Sequence, residues 1–176
     1  MTRRQLIKTG IAGVIVLAVA DLGYQWYSDG QAVPEDSYAY RVLSAESRVI
    51  ITAIVPAMLA GALPSENMSL AIRDVVRGFD IAVAGLPPSV QGEVQQLFGL
   101  LGFPLTRWAV AGVAVPWHRA DVAQVTAFLT RWRFSNVAML RSAYDALHQL
   151  INAAWYGNAQ SWPSIGYPGP PPIGAK

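Results

Sequence analysis

A chain of 176 residues with 13 basic and 11 acidic side chains has a formal net charge of +2 and no cysteine. Disulfides, thiolate metal sites, iron–sulfur ligands and thiol nucleophiles are thereby excluded. The chain is 53% hydrophobic and 14% charged, against about 25% charged in ordinary domains, so its fold is expected to leave apolar surface of the kind that marks a partner face.

Residues 1–20 read as an address label. The uncharged stretch Thr9 to Ala20 is 12 residues, whereas a spanning helix needs about 20. Ahead of it, Arg3-Arg4 with Leu6 two places on and Lys8 beyond follows the twin-arginine (Tat) export pattern. Gly10 and Gly13 keep the apolar region modest, and Ala18-Val19-Ala20 is the small-x-small triplet that signal peptidase cuts after. Competing readings are a general secretory leader or an uncut anchor, with Tyr24, Trp26 and Tyr27 at the membrane interface. Removing residues 1–20 takes three basic residues and no acid, leaving 10 basic against 11 acidic and a net of −1. That balance gives no electrostatic footprint for nucleic acid.

Residues 21–43 read as a linker, with turn chemistry at Ser28-Asp29-Gly30 and at Pro34 to Ser37. A first helix starts at Ser44 as N-cap, with Glu46 in its first turn. Ile50, Ile51, Ile54, Val55, Met58 and Leu59 make it apolar almost all round, which predicts a central, buried helix. Pro56 is expected to kink it or to end it near Val55. A second helix is predicted from about Ser69 to Val83, burying Ile72, Val75, Val76, Phe79 and Val83, with Arg73, Asp74, Arg77 and Asp80 on the polar side. After the break at Leu86-Pro87-Pro88-Ser89, a third carries Val90, Val94, Leu97, Phe98 and Leu101 toward Gly102.

The stretch 103–120 fits a short helix or an extended piece equally well. Asp121 caps a fourth helix with Val122, Val125, Phe128, Leu129 and Trp132 at helical spacing. Ser135 or Asn136 starts a fifth, running through Val137, Leu140, Tyr144, Leu147, Ile151 and Trp155 to a stop at Gly157-Asn158. The expectation is an all-α fold: a compact bundle of about five helices over 44–156, with an extended Pro/Gly/aromatic tail over 157–176.

Catalytic patterns are scarce. His118 reads as a loop contact and His148 as a partly buried helix residue, and neither has a second ligand at helical spacing. No nucleophile elbow, P-loop or dinucleotide fingerprint occurs. Gly166-Tyr167-Pro168-Gly169 is no phosphate loop, because Pro168 lacks an N–H and no helix follows. The chain reads as a non-enzyme with no catalytic, cofactor or metal residues of its own.

The tail is more telling. Trp155, Tyr156, Trp162, Tyr167, Pro168, Gly169 and Pro170 are candidates for contact with a partner, since a stiff Pro-rich strand docks with little entropy to lose. For Trp155 and Trp162 the alternative of folding back on the chain's own helices is equally open.

Several stretches together resemble the gluconate 2-dehydrogenase subunit 3 family. "LSAESRVIITAIVPAML" is similar to that family's opening helix. "VTAFLTRWRFSNVAMLRSAYDALHQLINAAWYGN" followed by "SWPSIGYPGPP" is similar to its last helix and Trp-x-x-(Ile/Leu)-Gly-Tyr-Pro-Gly ending. The resemblance spans roughly residues 43–172 and is diffuse in the middle. It implies a non-catalytic small subunit that escorts and stabilises a periplasmic FAD-dependent dehydrogenase of the glucose–methanol–choline (GMC) type and supplies its Tat signal. FAD is then expected on the partner, with the Tat translocase a transient partner and a cytochrome c as a further subunit in some systems. Without cysteine, any union here is non-covalent. The rival reading is an exported or inner-membrane-anchored helical protein of the cell envelope that binds a ligand or scaffolds a complex, with no flavoenzyme.

Overall fold

The structure, a computed structural model, describes residues 36–170. Its five principal helices are α1 (Ala45–Met58), α2 (Met68–Ala84), α3 (Pro88–Gly102), α4 (Val122–Arg133) and α5 (Ala138–Tyr156). No strand occurs among the described residues, and the fold is all-α.

Helix α1 is the axis of the bundle. The Ser44 hydroxyl accepts the Ser47 N–H at 3.1 Å, and Glu46 sits in the first turn, so the start is capped and charge-matched. Ile50, Ile51, Ile54 and Val55 have no exposure, and α1 packs against all four other helices. An apolar surface all round is stable only in such a position. Helix α1 passes Pro56 and ends at Met58, three residues beyond Val55. The missing N–H of Pro56 falls in the last turn, and Leu59 N–H still closes on the Val55 carbonyl at 2.9 Å.

The polar side expected of α2 needs a correction at Asp80, which has no exposure. Its Oδ1 accepts the N–H groups of Val42 (3.0 Å) and Leu43 (2.9 Å), and its Oδ2 accepts Arg41 N–H (2.9 Å) and the Tyr38 hydroxyl (3.4 Å). Three consecutive backbone donors thus take the place a cation would otherwise fill; among the described residues no ion pair involves Asp80. One turn earlier, Arg77 grips Asp36 through two nitrogens at 2.5 and 3.0 Å, while Tyr40 donates its hydroxyl to Asp36 at 2.7 Å. The Arg77 guanidinium holds the Asp36 carboxyl well below the usual carboxylate range despite its burial. Burial, reinforced by the bond to Asp36, pushes the Tyr40 phenol up to about 12.

The segment read as linker is therefore irregular but, over residues 36–43, not loose. It is moored to α2, with Leu43 buried in the core. The remainder of that segment, 21–35, lies outside the described residues.

Residues 103–120 are neither of the two simple alternatives. A helical turn at Pro104–Thr106 runs into a π-helical turn at Arg107–Ala111, which Gly112 ends in the left-handed region at φ 63°. Irregular chain then leads to a short turn at Trp117–Arg119. Irregular backbone and helix ends both need partners for their carbonyls, and two indoles supply one to each. Trp117 donates to the Leu101 carbonyl at 2.7 Å, and Trp132 donates to the Val110 carbonyl at 3.0 Å. Arg131 adds a bond to the Ala111 carbonyl.

Asp121 caps α4 reciprocally with Gln124, at 2.7 and 3.2 Å. Val125, Phe128, Leu129 and Trp132 are buried as the spacing predicts, whereas Val122 is half exposed. Helix α5 begins at Ala138, two residues after the later of the expected starts, and leaves Val137 half exposed. It lies along α2 at close range: a Cβ on Gly78 would stand 3.1 Å from the Ala154 Cβ and 3.2 Å from its backbone.

Replacing Asp80 by Asn keeps the shape but sets an amide NH2 against at least one backbone donor. This change is expected to cost about 2–4 kcal/mol, read by urea denaturation with an unchanged m-value.

Candidate partner-docking site

The C-terminal segment folds into a compact knob. Helix α5 stops at Gly157, and two short 3-10 turns follow at Ala159–Ser161 and Pro163–Ile165. Over its described residues, the tail expected to be extended is thus helical in character through Ile165 and irregular over 167–170, while 171–176 lie outside the described residues. The reason lies in its punctuation. Asn158 caps the first turn by accepting the Gln160 N–H at 3.0 Å, and Pro163 opens the second, where its lost N–H costs nothing.

The Trp-x-x-Ile-Gly-Tyr spacing has a direct physical meaning here. Gly166 adopts φ 68°, its N–H bonds to the Pro163 carbonyl at 3.2 Å, and Tyr167 N–H reaches back to the Trp162 carbonyl at 3.0 Å. This pair of bonds around a left-handed glycine is the Schellman arrangement. The hydrophobic contact that accompanies such an end is the edge-to-face packing of Trp162 on Tyr167, with centroids 5.4 Å apart. Gly169, at φ 99°, lies against the same indole, where a Cβ would come within 3.1 Å of it. The indole N–H donates to the Tyr156 carbonyl at 3.1 Å. Trp162, Tyr167 and Gly169 are therefore one structural unit.

The candidates divide cleanly by exposure. Trp155 is only 1% exposed and belongs to the core, so its assignment to a partner surface is corrected: its position in the Leu147–Ile151–Trp155 stripe of α5 turns it inward. Trp162 is partly covered by its own tail. Tyr156, Ile165 and Tyr167 are exposed, as are Pro168 and Pro170, and Gly169 is partly covered. Gln160 ties the knob to α2 through a 3.1 Å bond to Asp74. Beside it, a shallow groove of about 460 Å³ runs between α2 and α5, floored by small residues including Gly78 and Ala154 and edged by the exposed Ile81.

A second apolar face stands at the elbow after α3, where Leu100, Phe103, Leu105 and Trp108 are all 45–60% exposed within nine residues. No sequence argument singled it out. Its signal was the break at Gly102 and Pro104, which prevents a single helical stripe from burying all four.

Arg3, Arg4, Leu6, Lys8, Ala18 and Ala20 lie outside the described residues. His118 is exposed in the Trp117–Arg119 turn. His148 is exposed rather than partly buried, stacked on Tyr144 at 5.7 Å. Among the described residues no group of three or more His, Asp or Glu is placed to hold a metal ion, and no helix is long and apolar enough to cross a membrane. Comparisons with protein-family models, with curated proteins and with solved structures return no match.

Valine in place of Gly166 forces a β-branched residue into the left-handed region, at a cost of about 1–3 kcal/mol. Because the knob is peripheral, the expected outcome is local: hydrogen exchange at the Tyr167 amide accelerates by roughly ten- to a hundredfold, while global thermal unfolding barely moves.

Proposed function

We propose that this chain is the non-catalytic small subunit of a periplasmic, FAD-dependent GMC-type dehydrogenase, which it stabilises and carries through the Tat pathway on its own leader. The observation that carries the reading is the aromatic knob. The residues whose spacing resembles the family's ending form a self-supporting unit presenting Tyr156, Ile165 and Tyr167 outward. Such a unit suits insertion into a larger protein, because its shape is set before it meets a partner and little ordering entropy remains to be lost.

Two further features agree with this role. The apolar elbow at Leu100 to Trp108 provides additional uncovered area, as a large obligate interface of about 2,000 Å² or more requires. The Tat pathway carries folded cargo, which suits a flavoprotein that takes up its cofactor in the cytoplasm. On this reading FAD, substrate and any electron-accepting cytochrome c belong to partner chains, and the association is non-covalent.

Changing Arg3 and Arg4 together to Lys is expected to strand both this chain and the flavoprotein in the cytoplasm, read by fractionation and immunoblotting of the native host. Export of the flavoprotein at its normal level in that strain contradicts the escort role.

A further inference from the structure

A cavity of about 180 Å³ lies between the moored segment 36–43, α1 and the beginning of α2. Its walls are largely apolar, with Ile72, Val76 and the Tyr40 ring among them, and Arg48, Arg73 and Ser69 line it as well. It is slightly larger than the roughly 150 Å³ apolar cavity that accepts benzene in an engineered protein.

The charge around it is one-sided. Asp36 is the acidic residue in its wall, and both Asp36 oxygens are already engaged by Arg77, Tyr40 and the Tyr38 N–H. Arg48 and Arg73 form no ion pair among the described residues. Arg48 lies over the Tyr40 ring at 4.5 Å, and its Nε is buried without a hydrogen-bond partner. A buried guanidinium donor left unbonded is costly, and a carboxylate is the acceptor its fork geometry matches best.

We propose that this cavity binds a small monocarboxylic acid of about six carbons in all, whose carboxylate meets Arg48 and Arg73 and whose apolar body rests against Ile72, Val76 and Tyr40. The site is separate from the knob and stands whether or not the chain has a flavoprotein partner. Its apolar wall selects against inorganic anions, and its two arginines select against neutral molecules of the same shape.

The test is a titration of the full chain with sodium hexanoate and, in parallel, with hexanol, at constant ionic strength, followed by calorimetry and by the NMR signal of the Arg48 Nε–H. Hexanoate is expected to bind saturably with a dissociation constant on the order of 1 mM or below, to shift the Arg48 signal, and to bind at least tenfold tighter than hexanol. Arg48→Gln and Arg73→Gln are each expected to weaken hexanoate about tenfold, or about 1.4 kcal/mol, whereas Arg119→Gln, in the exposed turn after Trp117, leaves it unchanged. If Arg48→Gln fails to fold, Arg73→Gln decides alone. Absence of saturation, equal binding of hexanol, undiminished binding in the folded arginine variants, or an equal loss in Arg119→Gln overturns the proposal.

Discussion

A carboxylate with no solvent exposure, Asp80, fixes the direction from which the chain enters its helical body. It gathers the N–H groups of Arg41, Val42 and Leu43, which directly precede the Ser44 cap of α1, and so sets where the central helix begins. Burying a carboxylate is tolerated only if its lone pairs are filled, and here the backbone fills them. The consequence extends along α2. Asp74, Arg77 and Asp80 are spaced by three residues, and they hold, respectively, Gln160 of the knob, Asp36 and residues 41–43. One helix therefore anchors both the incoming chain at Asp36 and the outgoing chain at Gln160.

That arrangement bears on how the surfaces are used. The tryptophans fall into separate duties. Trp117, Trp132 and Trp155 fill the core; Trp117 also ties the irregular 103–120 region to the Leu101 carbonyl at the end of α3, and Trp132 satisfies the Val110 carbonyl within that region. Trp162 organises the knob, and Trp108 stands 60% exposed at the elbow. A fold with so few charges has little polar material to cover its apolar atoms, and the uncovered part includes clusters at the elbow, at the knob and at Phe134, Val137 and Met139 between α4 and α5. Gathered patches of this sort are partner surfaces more often than isolated exposed side chains are.

Helix positions were legible in the sequence where a stripe, a cap and a stop coincide. Ser44, Asp121 and Gly157 mark ends found within a residue or two, and the all-apolar α1 announced its central place. Asp80 escapes a periodicity drawn from the apolar residues alone. It lies four residues after Val76 and three before Val83, which puts it on the buried face, but only the tertiary fold shows which donors await it. Residues 103–120 resisted reading because their stability comes from indole-to-carbonyl bonds across the sequence, which leave no local period. The knob was legible as a motif and not as a shape: glycine, tyrosine and tryptophan at that spacing make a closed turn, whereas prolines in the same segment suggest extension. The arginine-lined cavity had no sequence signal, since its residues come from three separate segments.

The central claim is that this body is built to sit on a flavoprotein. The most direct measurement is a gentle affinity purification of the C-terminally tagged chain from its native host, with mass spectrometry and a visible absorbance scan of the eluate. The account predicts a stoichiometric companion with visible flavin absorbance, retained through gel filtration. A chain recovered alone and colourless contradicts it, and leaves an exported helical binding protein as the better description.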